Sequence, residues 1–142
     1  MIRKSRTDDI NSIMAIWLES NIEAHDFIPE KYWQSNYKDV KEAINEAEVT
    51  IYEENGEVIG FIGIVNDYIA GLFVRADRRS RGIGEKLINE VKKNHITLSL
   101  DVFLENMSAV KFYMKEGFKV IDKKKNRDTG FDEYYMEWKS YE

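Results

Sequence analysis

No cysteine occurs anywhere in the chain. That absence removes disulfide frameworks, zinc thiolate sites and thiol nucleophiles together, and it fits the cytoplasm, where the protein is expected. Histidine is nearly as scarce. His25 and His95 stand far apart in the sequence, so no histidine-rich metal site is expected. There is one proline, Pro29. No apolar run approaches the ~20 residues that a membrane-spanning helix needs. The basic start Met1-Ile2-Arg3-Lys4-Ser5-Arg6 is not followed by an apolar stretch and a small-residue cleavage site, so neither a membrane partner nor a secretory signal is expected. Positive charge is in deficit: 21 Lys and Arg face 26 Asp and Glu, a net charge of −5. Phosphate-backbone binding needs a basic footprint, so nucleic acid is not expected as a partner. A local basic patch can still serve a small phosphorylated molecule.

What is present reads as one domain. A chain of 142 residues fits a single unit over 1–142, and at that size roughly 68–70% of the unfolded surface can be buried. Hydrophobic residues at 43% and charged residues at 33% give a globular rather than a disordered balance. There is no internal repeat and no low-complexity linker.

The pattern along the chain predicts a strand at 2–5. A helix then follows from Thr7 as N-cap, with Asp8 and Asp9 in its first turn, where the helix dipole favours anions. Ile10, Ile13, Met14, Trp17 and Leu18 carry its apolar face to about Ser20. Residues 21–35 read as irregular and aromatic, and a second helix is expected over 37–46. Val49 and Ile51 alternate with polar neighbours as a strand, Asn55-Gly56 is a strong hairpin signal, and strands at 58–65 and 69–74 complete a meander. A glycine loop then opens a helix over 83–93 with Ile83, Leu87 and Val91 on one face. A strand at 97–102, a helix at 106–116 stopped by Gly117, and strands at 118–121 and 133–138 finish the chain. The order β-α-α-β-β-β-α-β-α-β-β predicts an α/β fold: a mixed, mostly antiparallel sheet with helices on both faces. Its one β-α-β crossover should make strands 69–74 and 97–102 parallel.

The segment with most chemistry in it is Leu72-Phe73-Val74-Arg75-Ala76-Asp77-Arg78-Arg79-Ser80-Arg81-Gly82-Ile83-Gly84. A strand feeds a glycine loop that opens a helix. The first helical N–H groups lack partners and sit at the positive end of the dipole, an anion site. Gly82 and Gly84 allow a phosphate to approach the backbone. Arg75, Arg78, Arg79 and Arg81 concentrate positive charge, so a diphosphate is the natural ligand. A Walker loop would need Gly-Lys-Ser/Thr, but Glu85-Lys86 follows Gly84; a dinucleotide fingerprint would need a third glycine where Leu87 stands.

A second block, Asn106-Met107-Ser108-Ala109-Val110-Lys111-Phe112-Tyr113-Met114-Lys115-Glu116-Gly117-Phe118, follows the partner strand. With both blocks in order, the chain resembles the GCN5-related N-acetyltransferase (GNAT) superfamily over essentially its whole length. Arg79-Ser80-Arg81-Gly82-Ile83-Gly84 matches its coenzyme A loop, and Asn106, Ala109, Phe112, Tyr113, Gly117 and Phe118 match its second block. Ala15-Ile16-Trp17 and His25-Asp26-Phe27-Ile28 further resemble small bacterial members. The resemblance implies acetyl-CoA as cosubstrate, with no metal, and an amine acceptor, small molecule or protein.

It also implies residue roles. Backbone N–H groups of Arg79, Ser80, Arg81, Gly82, Ile83 and Gly84 would hold the pyrophosphate. Leu72, Phe73 and Val74 would pair with the pantetheine arm, and an N–H near Phe73 or Val74 would polarise the thioester carbonyl. Asn106 would hydrogen-bond the arm, and Tyr113 would protonate the departing thiolate. Asp101 is the expected general base, facing the cleft opposite Leu98, Leu100 and Val102. His25 is the alternative base, since an ordinary imidazole suits that task. Asp26, Tyr32 and Trp33 are candidates for the acceptor pocket. His95 reads as structural, and the run Lys123-Lys124-Lys125-Asn126-Arg127 reads as a solvated hairpin loop. The competing function is an acyl-CoA sensor or scaffold without turnover. Either a monomer or a homodimer is compatible with the sequence.

Overall fold

The computed structural model describes residues 1–141. Strand β1 (Ile2–Lys4) is followed by helices α1 (Ile10–Ala24) and α2 (Glu30–Glu46), then by strands β2 (Glu48–Glu54), β3 (Glu57–Val65) and β4 (Tyr68–Val74). Helix α3 (Ile83–Lys92), strand β5 (Thr97–Phe103), helix α4 (Met107–Lys115) and strands β6 (Lys119–Lys125) and β7 (Asp132–Lys139) complete it. One sheet of seven strands runs β1-β2-β3-β4-β5-β7-β6. Every pairing is antiparallel except β4 with β5. No helix among the described residues is long and apolar enough to cross a membrane.

The sheet has a core on each face. Ile83, Leu87, Ile88 and Val91 of α3 and Val110 and Tyr113 of α4 pack on one side, with Leu98, Leu100 and Val102 of β5. Ile13, Met14, Ile16 and Trp17 of α1 and Trp33 of α2 pack on the other, with Ile51, Phe61 and Phe103. The alternation along β5 thus sends Asp101 to the α1/α2 side, because it flanks residues committed to the α3/α4 side.

The single parallel pairing positions everything that follows. β4 and β5 share one bridged pair, Tyr68 with Ser99, and then part. The register explains the parting. Gly71 pairs with Gly63 but Ile69 pairs with Ile64, so Ala70 is an extra residue on β4. Such a bulge bends a strand and raises its twist. It also changes the parity of the strand: Ile69, Leu72 and Val74 face the α3/α4 core, while Phe73 faces the α1/α2 core. From Ala70 onward the β5 side of β4 is left open.

Several sequence expectations are corrected. Thr7 does not cap α1. Thr7–Asp9 is a short 3-10 turn, and the Asp9 carboxylate takes the Arg6 N–H at 2.7 Å while the Arg3 guanidinium grips it at 2.8 and 3.0 Å. Helix α1 runs on to Ala24 rather than stopping near Ser20, and α2 starts at Glu30 rather than at residue 37. The aromatics that made 21–35 look irregular bury one another instead: Trp17 meets Trp33 edge-on at 6.0 Å, and His25 stacks on Trp33 at 5.2 Å. Tertiary packing of this kind overrides weak helix propensity. Lys123, Lys124 and Lys125 lie in β6 opposite Tyr134, Glu133 and Asp132, not in a loop. All of β6 is exposed, so no apolar alternation announced it.

Candidate active site

The loop at 79–84 turns the chain from β4 into α3 through two left-handed residues, Ser80 (φ 64°) and Gly82 (φ 78°). The first intrahelical bond is from the Lys86 N–H to the Gly82 carbonyl at 3.0 Å, which leaves the N–H groups of Ile83, Gly84 and Glu85 without helical partners. They border a cavity of about 450 Å³ lined by Leu72, Val74, Arg79, Ser80, Gly82, Ile83, Gly84, Ala109, Phe112 and Tyr113. Arg81 lines neither this cavity nor its neighbour.

Three of the four arginines expected to concentrate positive charge are paired with carboxylates. Arg75 is paired with Glu57 and Asp77, and Arg78 with Glu54 and Asp77. The Arg75 guanidinium draws Asp77 down to about 2. Arg79 pairs with Glu23 and donates to the Val74 carbonyl at 3.1 Å. An anion in this cradle would be held chiefly by backbone N–H groups and the dipole of α3. Those unpartnered donors, the cavity beside them and the left-handed loop fit a diphosphate.

The open edge of β4 can be assigned group by group. The Arg75 N–H bonds the Ile59 carbonyl at 2.8 Å, and antiparallel ladders alternate. Phe73, opposite Phe61, therefore turns its backbone toward β3, while Leu72 and Val74 turn theirs toward the gap beside β5. Of the two N–H groups expected to meet a thioester carbonyl, Val74 faces the gap and Phe73 does not.

A second cavity, of about 240 Å³, lies on the α1/α2 side and is lined by residues including Trp17, Asn21, His25, Trp33, Tyr68, Phe73, Asp101, Asn106, Tyr113 and Glu133. Leu72, Ala109 and Tyr113 line both cavities. Tyr113 is thus set in their common wall, 8% exposed, and burial pushes its phenol up from 10. Its hydroxyl makes no hydrogen bond among the described residues, so it is a protonated donor without a partner.

Asp101 accepts from the Tyr68 hydroxyl at 2.8 Å and faces the Lys124 ammonium at 3.0 Å. A carboxylate has about four lone-pair sites, so capacity remains. Burial and the nearby Asp101 push the Glu133 carboxyl up. The cavity is therefore acidic and walled by indoles. The sequence reading missed Tyr68, Glu133 and Lys124; Gly71, a glycine inside a strand, was the one signal of the bulge beside Tyr68. Of the other pocket candidates, Trp33 lines this cavity, whereas Asp26 and Tyr32 do not. His95 sits away from both, paired with Asp67 and Glu48.

His25 is buried beside Asn106, and burial holds its pKa below the ordinary 6.5. Between the folded value and about 6.5 the unfolded chain binds more protons at this group, so its contribution to stability is lost as pH falls through that window. Glu116 and Glu133, both raised by burial, act in the opposite sense. The comparison with His25→Gln isolates the histidine. Urea midpoints taken from about pH 7.5 to about pH 5.5 should fall more steeply in the wild type than in the variant; parallel slopes would contradict a buried neutral His25.

Residues 20–140 match the family model described as an acetyltransferase (GNAT) domain. The peptidyl-lysine N-acetyltransferase YiaC of Escherichia coli is 32% identical over 140 residues, 97% of this chain and 96% of that protein. The solution structure of apo YjaB from Escherichia coli superposes with a TM-score of 0.83 at 26% identity, covering 97% of this chain and 96% of that one. The PaiA N-acetyltransferase of Thermoplasma acidophilum, solved in complex with coenzyme A, gives 0.82 at 25% identity over 98% of both chains.

Proposed function

The chain belongs to the GNAT acetyltransferase family, and from that premise we propose that residues 1–142 form one cytoplasmic N-acetyltransferase domain whose acceptor is a lysine side chain of a protein. Acetyl-CoA supplies the acetyl group as a thioester. In this reading Ile83, Gly84 and Glu85 hold its diphosphate by their free N–H groups, and Leu72 and Val74 bind its arm along the open edge of β4. The Val74 N–H donates to the thioester carbonyl oxygen, where charge develops.

Asp101 takes the proton from the acceptor ammonium, directly or through a water. The amine nitrogen bonds to the carbonyl carbon as the carbon–sulfur bond breaks, the Tyr113 hydroxyl gives its proton to the leaving sulfur, and the second proton of the acylated nitrogen, carried by water, restores the Tyr113 hydroxyl. Burial raises the phenol, but a thiolate in the same wall is desolvated too, so the proton passes between two similarly penalised anions. The observation that carries the reading is Tyr113 in the wall between an open strand edge and an acidic cavity.

The lysine acceptor is supported by that cavity's charge, Asp101 and Glu133, which suits a cationic group. The name of the relative YiaC points the same way. The test is thiol release from acetyl-CoA with a panel of amines: a lysyl peptide with a blocked N-terminus, a peptide with a free N-terminus and no lysine, a polyamine and an aminoglycoside. Thiol release with the lysyl peptide, and mass spectrometry placing the acetyl group on Nε, is the expected result. Turnover confined to another class would replace lysine by that class, and binding of acetyl-CoA with no turnover on any amine would favour a sensor.

A further inference from the structure

Both ring nitrogens of His25 are already committed. Nδ1 lies 3.1 Å from the Asn21 carbonyl oxygen, which can only accept, so Nδ1 carries the ring proton of the neutral imidazole. Nε2 then presents a lone pair, 3.2 Å from Nδ2 of Asn106. The other end of that amide is fixed separately: Oδ1 of Asn106 accepts from the Ala109 N–H at 3.4 Å and from the Ser108 hydroxyl at 3.4 Å. One obligate acceptor and an independent backbone donor thus set the direction of every bond from Asn21 through His25 and Asn106 to Ala109. The ring itself is clamped, stacked on Trp33 at 5.2 Å and met edge-on by Phe103 at 5.2 Å and Phe27 at 5.7 Å.

The line of bonds joins two parts of the site, the end of α1 and the start of α4. His25 ends α1, on the acceptor side. Asn106 is the N-cap of α4, and Tyr113 follows Ala109 on the same helix face, one turn along. Side-chain caps of this type typically contribute about 1 kcal/mol to a helix start. Here the cap is itself held from outside the helix, and Ala109 and Tyr113 both line the two cavities. One N–H of the Asn106 amide goes to His25; the second goes to no described residue.

We propose that His25 is a positioning residue of the transfer reaction: its Nε2 lone pair locks the Asn106 amide in the one orientation that caps α4 under Tyr113 and leaves the second amide N–H for the bound thioester substrate. This rests on Tyr113 being the proton donor. It replaces His25 as a base, because the lone pair a base would use is already occupied. A packing role would need only the ring, and a positioning role needs only the acceptor.

Two variants separate these roles. His25→Phe keeps a ring between Trp33 and Phe103 and deletes the acceptor; His25→Gln loses the ring and can place Oε1 near the position of Nε2. With acetyl-CoA and a lysyl peptide, kcat of His25→Phe should fall about 10²-fold, the scale expected for a small misplacement of reacting groups. Its melting temperature and peptide KM should stay close to wild type. His25→Gln should melt earlier yet recover most of the lost kcat. The reverse order, Phe active and Gln inactive, would overturn the proposal. Should His25→Gln not fold, or the peptide not be an acceptor, long-range proton–nitrogen correlation on the wild-type histidines still decides. Nδ1 protonated and Nε2 bare is expected, and a protonated Nε2 at neutral pH would overturn it. Tyr113→Phe assayed alongside keeps the two readings apart: an unchanged rate there removes the proton donor, whereas the tautomer still reports the link from His25 to Asn106.

Discussion

Tyr113→Phe should lower kcat by roughly 10²–10⁴-fold, the usual range for a general acid, while the affinity for coenzyme A stays the same. The two halves of that expectation have separate causes. The ring of Tyr113 packs edge-on against Phe112 at 5.3 Å and Phe118 at 5.5 Å, and phenylalanine keeps both contacts. The hydroxyl has no hydrogen-bond partner among the described residues, so its removal leaves no protein group orphaned and should cost little stability. What is lost is the one side-chain donor among the described residues that line both cavities, and the departing thiolate must then find its proton in water. Steady-state kinetics with the identified amine, and calorimetric titration of coenzyme A, read the two quantities. A fall in rate with matched loss of affinity would make Tyr113 a binding residue, and a rate at the wild-type level would remove it from the chemistry.

The legible part of this molecule is the part where a local rule coincides with a tertiary one. Leu98, Leu100 and Val102 alternate with Asp101 because β5 lies between two layers, and the same alternation sends Asp101 to the α1/α2 side. The glycine loop was readable because a strand, a left-handed turn and a helix start need particular residues in order. The failures share the opposite property. Residues 21–35 hold rings that look like loop aromatics until Trp17, Trp33 and His25 bury one another. β6 has no buried face, so its lysines carried no period. Arg75, Arg78 and Arg79 look free in sequence, but Glu57, Glu54 and Glu23, which pair with them, come from β3, β2 and α1. Tyr68 meets Asp101 across the parallel pairing of β4 with β5, a contact between residues far apart in the chain. Pairings made across the chain, and single insertions that shift parity, leave little trace in any local pattern.

The glycines of the cradle give the largest expected effect on cofactor binding, for two different reasons. Gly82 holds φ at 78°, and a Cβ placed there meets nothing within 4 Å. Space is therefore no obstacle to Gly82→Val; conformation is. The left-handed region costs an ordinary residue roughly 1–2 kcal/mol, and a β-branched one more. The cheapest relief is to turn the loop back to negative φ, and that rotates the free N–H groups of the following turn out of the cradle. At Gly84 the backbone is helical, and the Cβ would lie 3.4 Å from the Phe112 ring and 4.0 Å from Val74 Cγ2. Gly84→Val therefore fills the passage between α3 and α4 beside the open edge of β4, where the proposed function puts the arm of coenzyme A. Hydrogen bonds to a charged group contribute about 1.5–3 kcal/mol each, so losing two of the cradle donors weakens Kd by about 10²–10⁴-fold. Both variants should fold, since neither site lies inside a core, and the fall in unfolding midpoint of Gly82→Val without coenzyme A should not exceed what that backbone strain, about 1–2 kcal/mol or somewhat more for a β-branched residue, accounts for. Titration of folded Gly82→Val with coenzyme A is the deciding measurement. Affinity at the wild-type level would mean that the diphosphate does not rest on this loop, and the site would have to be sought elsewhere on the sheet.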